Sequence, residues 1–287
     1  MNDFIQAAAE FPSIICATVF CIGACVGSFL NVCILRIPKG ESIVSPPSHC
    51  KCGAPIKWFD NIPILSWFVL RGKARCCGGR ISFRYPLVEA LTAALFLLLW
   101  LAFPPAVAAV YMLFAVLLVF CTFVDLDTMM LPDAATVGGA ILGVAAVCAV
   151  PETLVENAAQ MHPLAAHVRG FGYSVLGCVV SSGVLYWVRL LAGTILRREA
   201  MGEGDVILLG CIGAFCGWQG GLFALFGGSL IGCLVMIPMI LISRGLSKNT
   251  GEIEIPFGPW LAAGAVAYIF CADFVRAALA NLSAAFE

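Results

Sequence analysis

Charge is scarce in this chain. Only 11% of its 287 residues are Asp, Glu, Lys or Arg, where soluble domains carry about 25%. That shortage excludes an ordinary soluble protein. With 61% hydrophobic residues and a mean hydropathy of +1.00, the chain reads as a polytopic membrane protein. A basic segment at the N-terminus is missing too: "MNDFIQAAAEFPS" holds no Lys or Arg, so the first apolar run is expected to be a retained span, not a cleaved signal. The net charge of -1 offers no basic field to a nucleic acid, and no such partner is expected. Internal repeats, low-complexity segments and a glycine fingerprint of the dinucleotide-binding kind are all absent, the last excluding a soluble nucleotide-binding domain.

What is present is a series of apolar runs. Bilayer-crossing helices need roughly 17–25 such residues. Eight segments are read as spans, at about 13–35, 86–103, 106–124, 134–150, 170–192, 206–218, 221–243 and 258–280, the sixth falling short of that length. "FPP" at Phe103–Pro105 and "GWQGG" at Gly217–Gly221 read as tight turns between spans. The expected fold is all-α, with about eight transmembrane helices and a small cysteine-containing loop domain between the first two. By domain, this gives a tail and first helix (1–35), a basic cysteine loop (36–85) and a seven-helix membrane core (86–287).

Basic residues orient the spans. Nine of the sixteen lie between Arg36 and Arg84, so that loop is expected in the cytoplasm. Counting outward, 125–133, 193–205 and 244–257 fall on the same side, with Arg197, Arg198, Arg244 and Lys248. Residues 1–12 and 151–169 fall outside, where Arg169 is the one basic residue.

Of fifteen cysteines, eleven are scattered in the spans as small packing residues. Cys50, Cys52, Cys76 and Cys77 are different: all four lie in the basic loop. A reducing compartment disfavours structural disulfides, and a loop too small for its own core gains from a metal. Four thiolates in two clusters suggest a tetrahedral zinc site, although C-x-C and C-C are tighter than the usual C-x2-C. His49 could replace one thiolate. His162 and His167 read as ordinary loop residues.

The acidic residues carry the chemistry. "TFVDLDTMMLPD" (Thr122–Asp133) puts three aspartates at the end of an apolar run. Asp133 reads as the N-cap of the fourth span, and Asp127 as a solvated carboxylate. Asp125 is nearest the hydrocarbon, where ionisable groups are costly and usually functional. "EAMGEGDVILLG" (Glu199–Gly210) opens another run, with Asp205 at its start. Gly202 and Gly204 allow a sharp bend and a close approach. On one membrane face, Asp125 and Asp205 form a candidate dyad: one carboxylate takes a proton from water, while the other, protonated, polarises a scissile carbonyl. A helix N-terminus favours the anion of Asp205 and leaves the proton to Asp125.

With these residues the sequence resembles the bacterial type IV prepilin peptidases, the leader peptidase/N-methyltransferase family of membrane aspartic peptidases. The resemblance runs through "GSFLNVCILRIP" (Gly27–Pro38), "WFDNIPILSWFVLRGK" (Trp58–Lys73), "CGGRISFRYPLVE" (Cys77–Glu89), "DLDTMMLPD" (Asp125–Asp133), "MGEGDVILLG" (Met201–Gly210) and "IPFGPWLAAG" (Ile255–Gly264). It implies catalytic roles for Asp125 and Asp205, and zinc at Cys50, Cys52 and the Cys76/Cys77 region. The implied activities are cleavage of a short basic leader from prepilins or pseudopilins, and methylation of the new N-terminus by S-adenosylmethionine. The implied setting is the inner membrane, with the site facing the cytoplasm.

Two departures stand out. Ala74 takes the place of one family cysteine, with Cys76 as a substitute, and Ile207 stands where members often carry Lys. Glu41, Asp60, Glu199 and Glu203 are candidates to meet a basic leader. Asn31, Asn61, Arg84 and Glu89 are candidates for polar ligands or for folding the loop, and "IPFGPWL" for shaping a substrate groove or simply starting a helix. Alternative functions are a proton-coupled transporter using the same aspartates, a G-x-G-D intramembrane protease with another substrate, and a non-catalytic assembly protein. Arg189 is the one ionisable residue that could lie at the middle of a span.

Overall fold

The computed structural model describes residues 12–50, 52–197, 201–246 and 256–284. Among them, six helices are long and apolar enough to cross a membrane, and Asp133–Ala149 is a shorter apolar helix. The chain divides into two compact units, residues 1–120 and 121–287.

The first unit contains α1 (Pro12–Arg36), the short α2 (Leu65–Val69), α3 (Arg84–Ala102) and most of α4 (Pro105–Thr128). Helices α1 and α3 pack closely because Gly23 and Gly27 remove side chains from the seam. A Cβ on Gly27 would lie 2.7 Å from Glu89 Cα, and one on Gly23 would lie 2.8 Å from Ala93 Cα. Such small residues four apart let membrane helices approach. Asn31 Nδ2 donates to Tyr85 O across this seam at 3.1 Å.

Between α1 and α3 the loop folds around Trp67. Its ring meets Phe68 and Phe83 edge-on, and its Nε1 donates to Ile81 O at 3.1 Å. Ile64, just before α2, has φ 63° and ψ -56°, and Leu65 N donates to Pro63 O at 2.6 Å. This is a γ-turn of the rare, strained kind. It is held by the buried Glu89, whose Oε2 accepts the Ile64 N–H at 2.6 Å. Glu89 therefore holds the loop, while Asn31 ties α1 to the start of α3.

The second unit contains the end of α4, α5 (Asp133–Ala149), α6 (Pro163–Leu196), α7 (Glu203–Leu246) and α8 (Gly258–Ala284). As one straight helix, the 44 residues of α7 would span about 66 Å, twice a bilayer core. They do not run straight. Gly217 has φ 71° and ψ 176°, a left-handed position suited to glycine. A Cβ on Gly221 would lie 3.6 Å from the Cα of Gly213, whereas an unbroken helix would separate residues eight apart by about 12 Å. The chain therefore turns back at Gly217, giving α7a (203–216) and α7b (218–246). With this turn, and leaving aside the short α2, the described helices amount to the eight expected segments. α8 packs along α7b, where Gly264 faces Ala224 and Gly228 faces Trp260.

Two expectations need correction. Asp133 is not the cap of α5: Pro132 occupies the N-cap, and Asp133 is in the first turn with an exposed side chain. A Pro carbonyl accepts the first helical bonds there, and a carboxylate one residue on still suits the helix dipole. His167 lies within α6, with Nδ1 2.6 Å from Cys148 O, not in a loop; His162 is the N-cap residue of that helix.

Candidate active site and metal centre

α4 ends on the segment that carries the first aspartate. The Thr128 hydroxyl lies within reach of Val124 O at 2.9 Å and Met130 O at 3.0 Å. Met129 adopts φ 51° and donates its N–H to Asp125 O at 2.9 Å. A left-handed residue after the last turn is a common way to stop a helix. Asp125 is thereby held in the last turn at 5% exposure, while Asp127, two positions on, is exposed.

Asp125 Oδ2 accepts the N–H of Gly258 at 2.9 Å. Gly258 is the first residue of α8, so the carboxylate sits against a helix N-terminus, where unpaired N–H groups attract negative charge. Glycine is required there by proximity: a Cβ would lie 2.7 Å from Asp125 Oδ2.

Asp205 is the third residue of α7a and 9% exposed. Its carboxylate reaches back to hydrogen-bond the backbone of Gly202, as the third residue of a capping box does. It is therefore not an N-cap. Asp205 lies within range of the charge of Asp125. Each occupies a helix N-terminus, so the helix dipole does not single out Asp205 as the anion, contrary to the sequence expectation.

The turn before Asp205 is fixed from two sides. Arg189 donates from Nε to Met201 O at 3.1 Å and from Nη2 to Glu203 Oε1 at 2.9 Å. Gly204 faces Leu131, whose Cβ would lie 2.9 Å from a Cβ at 204. The two aspartate motifs thus pack on each other. Gly202 has no comparable steric demand: the nearest atom to a Cβ there is Asp205 Oδ2, at 3.5 Å. Neither glycine is among the residues of positive φ, so only the close approach at Gly204 is realised.

The structure also sorts the other polar candidates. Arg189 lies beside the segment leading into Asp205, not at the middle of a span. Glu203 is paired with Arg189, and Asp60 with Arg75 at 2.8 Å. Glu41 is exposed, and Glu199 falls outside the described residues. Asn61 borders a cavity that Ser28, Arg36 and Pro63 also line. Nothing in the sequence marked Gly258 or Arg189 as partners of the dyad motifs. Their only signals were a glycine between two prolines at a helix start and a lone Arg in an apolar run.

In the first unit the four loop cysteines converge. Cys50 and Cys77 sulfurs lie 3.6 Å apart, Cys52 and Cys76 3.4 Å apart, and all four sulfurs lie within 4.8 Å of one another. Two facing turns bring this about. One is closed by Cys50 N to Ala54 O and Gly53 N to Cys50 O, the other by Ala74 N to Gly79 O and Gly78 N to Ala74 O, each at 2.8 Å. Gly53 and Gly78 supply the positive φ values, 85° and 67°. The Cys52 backbone N–H, then the Cys76 and Cys77 thiols, pull the Cys50 thiol down to about 7. The Cys52 and Cys50 sulfurs push Cys76 up to about 12. A metal held by four thiolates at about 2.3 Å in tetrahedral geometry sets its sulfurs about 3.8 Å apart, so the cluster could hold a metal ion. His49 is outside it, with Nδ1 3.1 Å from Pro47 O.

Comparison with known proteins adds independent findings. Residues 21–103 match the bacterial peptidase A24 N-terminal domain, and residues 112–237 match the type IV leader peptidase family. A prepilin leader peptidase/N-methyltransferase of Myxococcus xanthus is 38% identical over 85% of this chain and 69% of its own length. One from Dickeya chrysanthemi is 34% identical over 91% and 94%. A type 4 prepilin-like proteins leader peptide-processing enzyme of Escherichia coli is 36% identical over 93% and 96%. No solved structure matches the chain.

Proposed function

The chain belongs to the type IV leader peptidase family, and on that basis we propose that it removes the basic leader of type IV prepilins or pseudopilins and methylates the amino group so exposed. The observation that carries the peptidase half is the pair Asp125 and Asp205, both buried, each carboxylate set at a helix N-terminus, on motifs that pack together where Gly204 meets Leu131.

A peptide carbonyl is a poor electrophile and water a poor nucleophile. Two carboxylates sharing one proton address both. The ionised member takes a proton from a water held between them as its oxygen bonds to the carbonyl carbon. The protonated member gives its hydrogen to the carbonyl oxygen. The C–N bond then breaks, with a proton passed to the leaving amine. Like charges at short range favour this half-protonated state. The donated N–H of Gly258 keeps Asp125 Oδ2 aimed while the proton moves. A substrate helix must unwind before it is cut, and a glycine before the scissile bond eases that step.

The cysteine cluster fits zinc in a closed, four-thiolate site. Such a site leaves no open position, so the metal would fold the loop and not take part in hydrolysis. Methylation moves a methyl group from the sulfonium of S-adenosylmethionine to the free amine, and no residue is assigned to it. The setting proposed is the inner membrane, with the loop and the dyad on the cytoplasmic side. Arg189 is engaged with the segment that leads into Asp205, so it is not placed as a relay between the two aspartates, which speaks against a proton-coupled transporter.

Purified protein in detergent, incubated with a prepilin, tests this reading. Mass spectrometry should find the leader released and the new N-terminus methylated when S-adenosylmethionine is added. Asp125→Ala and Asp205→Ala should each abolish release. Release by either variant would remove that residue from the dyad.

A further inference from the structure

The loop between α1 and α3 has an apolar edge that is exposed among the described residues. On α2, Leu65, Phe68 and Val69 are 62%, 58% and 74% exposed. Their i, i+3, i+4 spacing puts them on one face, away from the half-buried Trp67. Trp58, in a short turn of helix just upstream, is 82% exposed. In water, four large apolar side chains displayed so close in sequence would be a liability.

Their surroundings identify the occupant. The loop enters hydrocarbon at both ends, α1 closing at Arg36 and α3 opening at Arg84, so it lies at the bilayer surface. From Arg36 to Arg84 it has nine basic residues against two acidic ones, Glu41 and Asp60. Arg75 engages Asp60, while Lys57, Arg71, Lys73 and Arg80 are exposed beside the apolar edge. Lys57 Nζ sits 5.6 Å from the Phe59 ring centre. Aromatic side chains with basic neighbours are the composition of segments seated among lipid headgroups, and the positive excess matches anionic lipid.

We propose that Trp58, Leu65, Phe68 and Val69 insert into the headgroup–acyl boundary of the bilayer that the helices cross, with the flanking cations on anionic headgroups. The cysteine-bearing loop is then a surface-seated element of the membrane, not a freely projecting domain. The tie is non-covalent and independent of the peptidase chemistry.

Photo-crosslinking in reconstituted bilayers tests it. Full-length protein carrying p-benzoyl-phenylalanine in place of Trp58, Val69 or, as a control beside the cysteine cluster, Pro55 is placed in phosphatidylglycerol-containing bilayers and irradiated. Lipid adducts are expected at 58 and 69, several-fold above those at 55, falling when phosphatidylcholine replaces phosphatidylglycerol. A second readout uses shallow brominated lipid, which should quench wild-type emission more than that of Trp58→Phe. Adducts to protein alone, whether a second copy or a substrate, would overturn the proposal. So would equal yields at all three positions, or equal quenching of wild type and Trp58→Phe.

Discussion

Gly258→Ala is the sharpest perturbation the site offers, because it adds one methyl group and removes nothing. The new Cβ would lie 2.7 Å from Asp125 Oδ2, 3.2 Å from Cγ and 3.4 Å from Cβ. The φ of Gly258 is not positive, so the backbone accepts alanine, and alanine is the better helix former by up to about 1 kcal/mol. The carboxylate must move instead, by roughly 0.7 Å to restore ordinary carbon–oxygen contact. That displacement breaks the 2.9 Å bond from Gly258 N–H. A hydrogen bond to a charged group is worth about 1.5–3 kcal/mol, which lowers the rate about 10- to 150-fold if all of it is expressed in the transition state. The assay is the single-turnover rate of leader release, read beside thermal stability in the same detergent. The expected result is a rate loss in that range with unchanged or raised stability. Full activity in Gly258→Ala would refute the role given to this N–H, and a fall in stability matching the rate loss would reassign the glycine to packing.

Three further outcomes follow from the same geometry. Arg189→Ala should lower leader release about tenfold, by freeing the Met201–Glu203 turn, one charge-assisted bond to a carbonyl being the main loss; Glu203→Ala should do little, because its ion pair is exposed. Gly204→Ala should cost more activity than Gly202→Ala, because only the former meets Leu131; equal effects would show that the packing of the two motifs is unimportant. Elemental analysis of the purified chain should give one zinc per protein, lost on replacing Cys52 and Cys76 together with Ser; leader release by that variant, measured after confirming that it remains folded, should persist.

The aspartates stood out as candidates because a carboxylate at the rim of an apolar run is costly, and such cost is usually tied to function. The cysteines were legible by location: four thiols outside the spans stand apart from eleven inside. Even their compressed spacing closes, since two glycine-assisted turns face each other. The turn at Gly217 could be anticipated from "GWQGG", as could the eight segments. What stayed hidden depends on distance along the chain. Gly258 and Asp125 are 133 positions apart, and no local pattern links them. Glu89 and Ile64 meet 25 positions apart through a strained turn that no propensity favours. Asp133 was misplaced at a cap, because acidic residues suit every position of a first helical turn, and only the folded chain separates one position from the next.

The central claim is that Asp125 and Asp205 act as one unit on one water. Single-turnover leader release should be measured for wild type, Asp125→Asn, Asp205→Asn and the double variant, in one detergent with folding checked in each. Either single change should lower the rate by at least about a hundredfold, and the double variant should be no slower than the slower single one. A single variant that keeps wild-type rate, or a double variant whose loss is the product of the two single losses, would contradict the shared site.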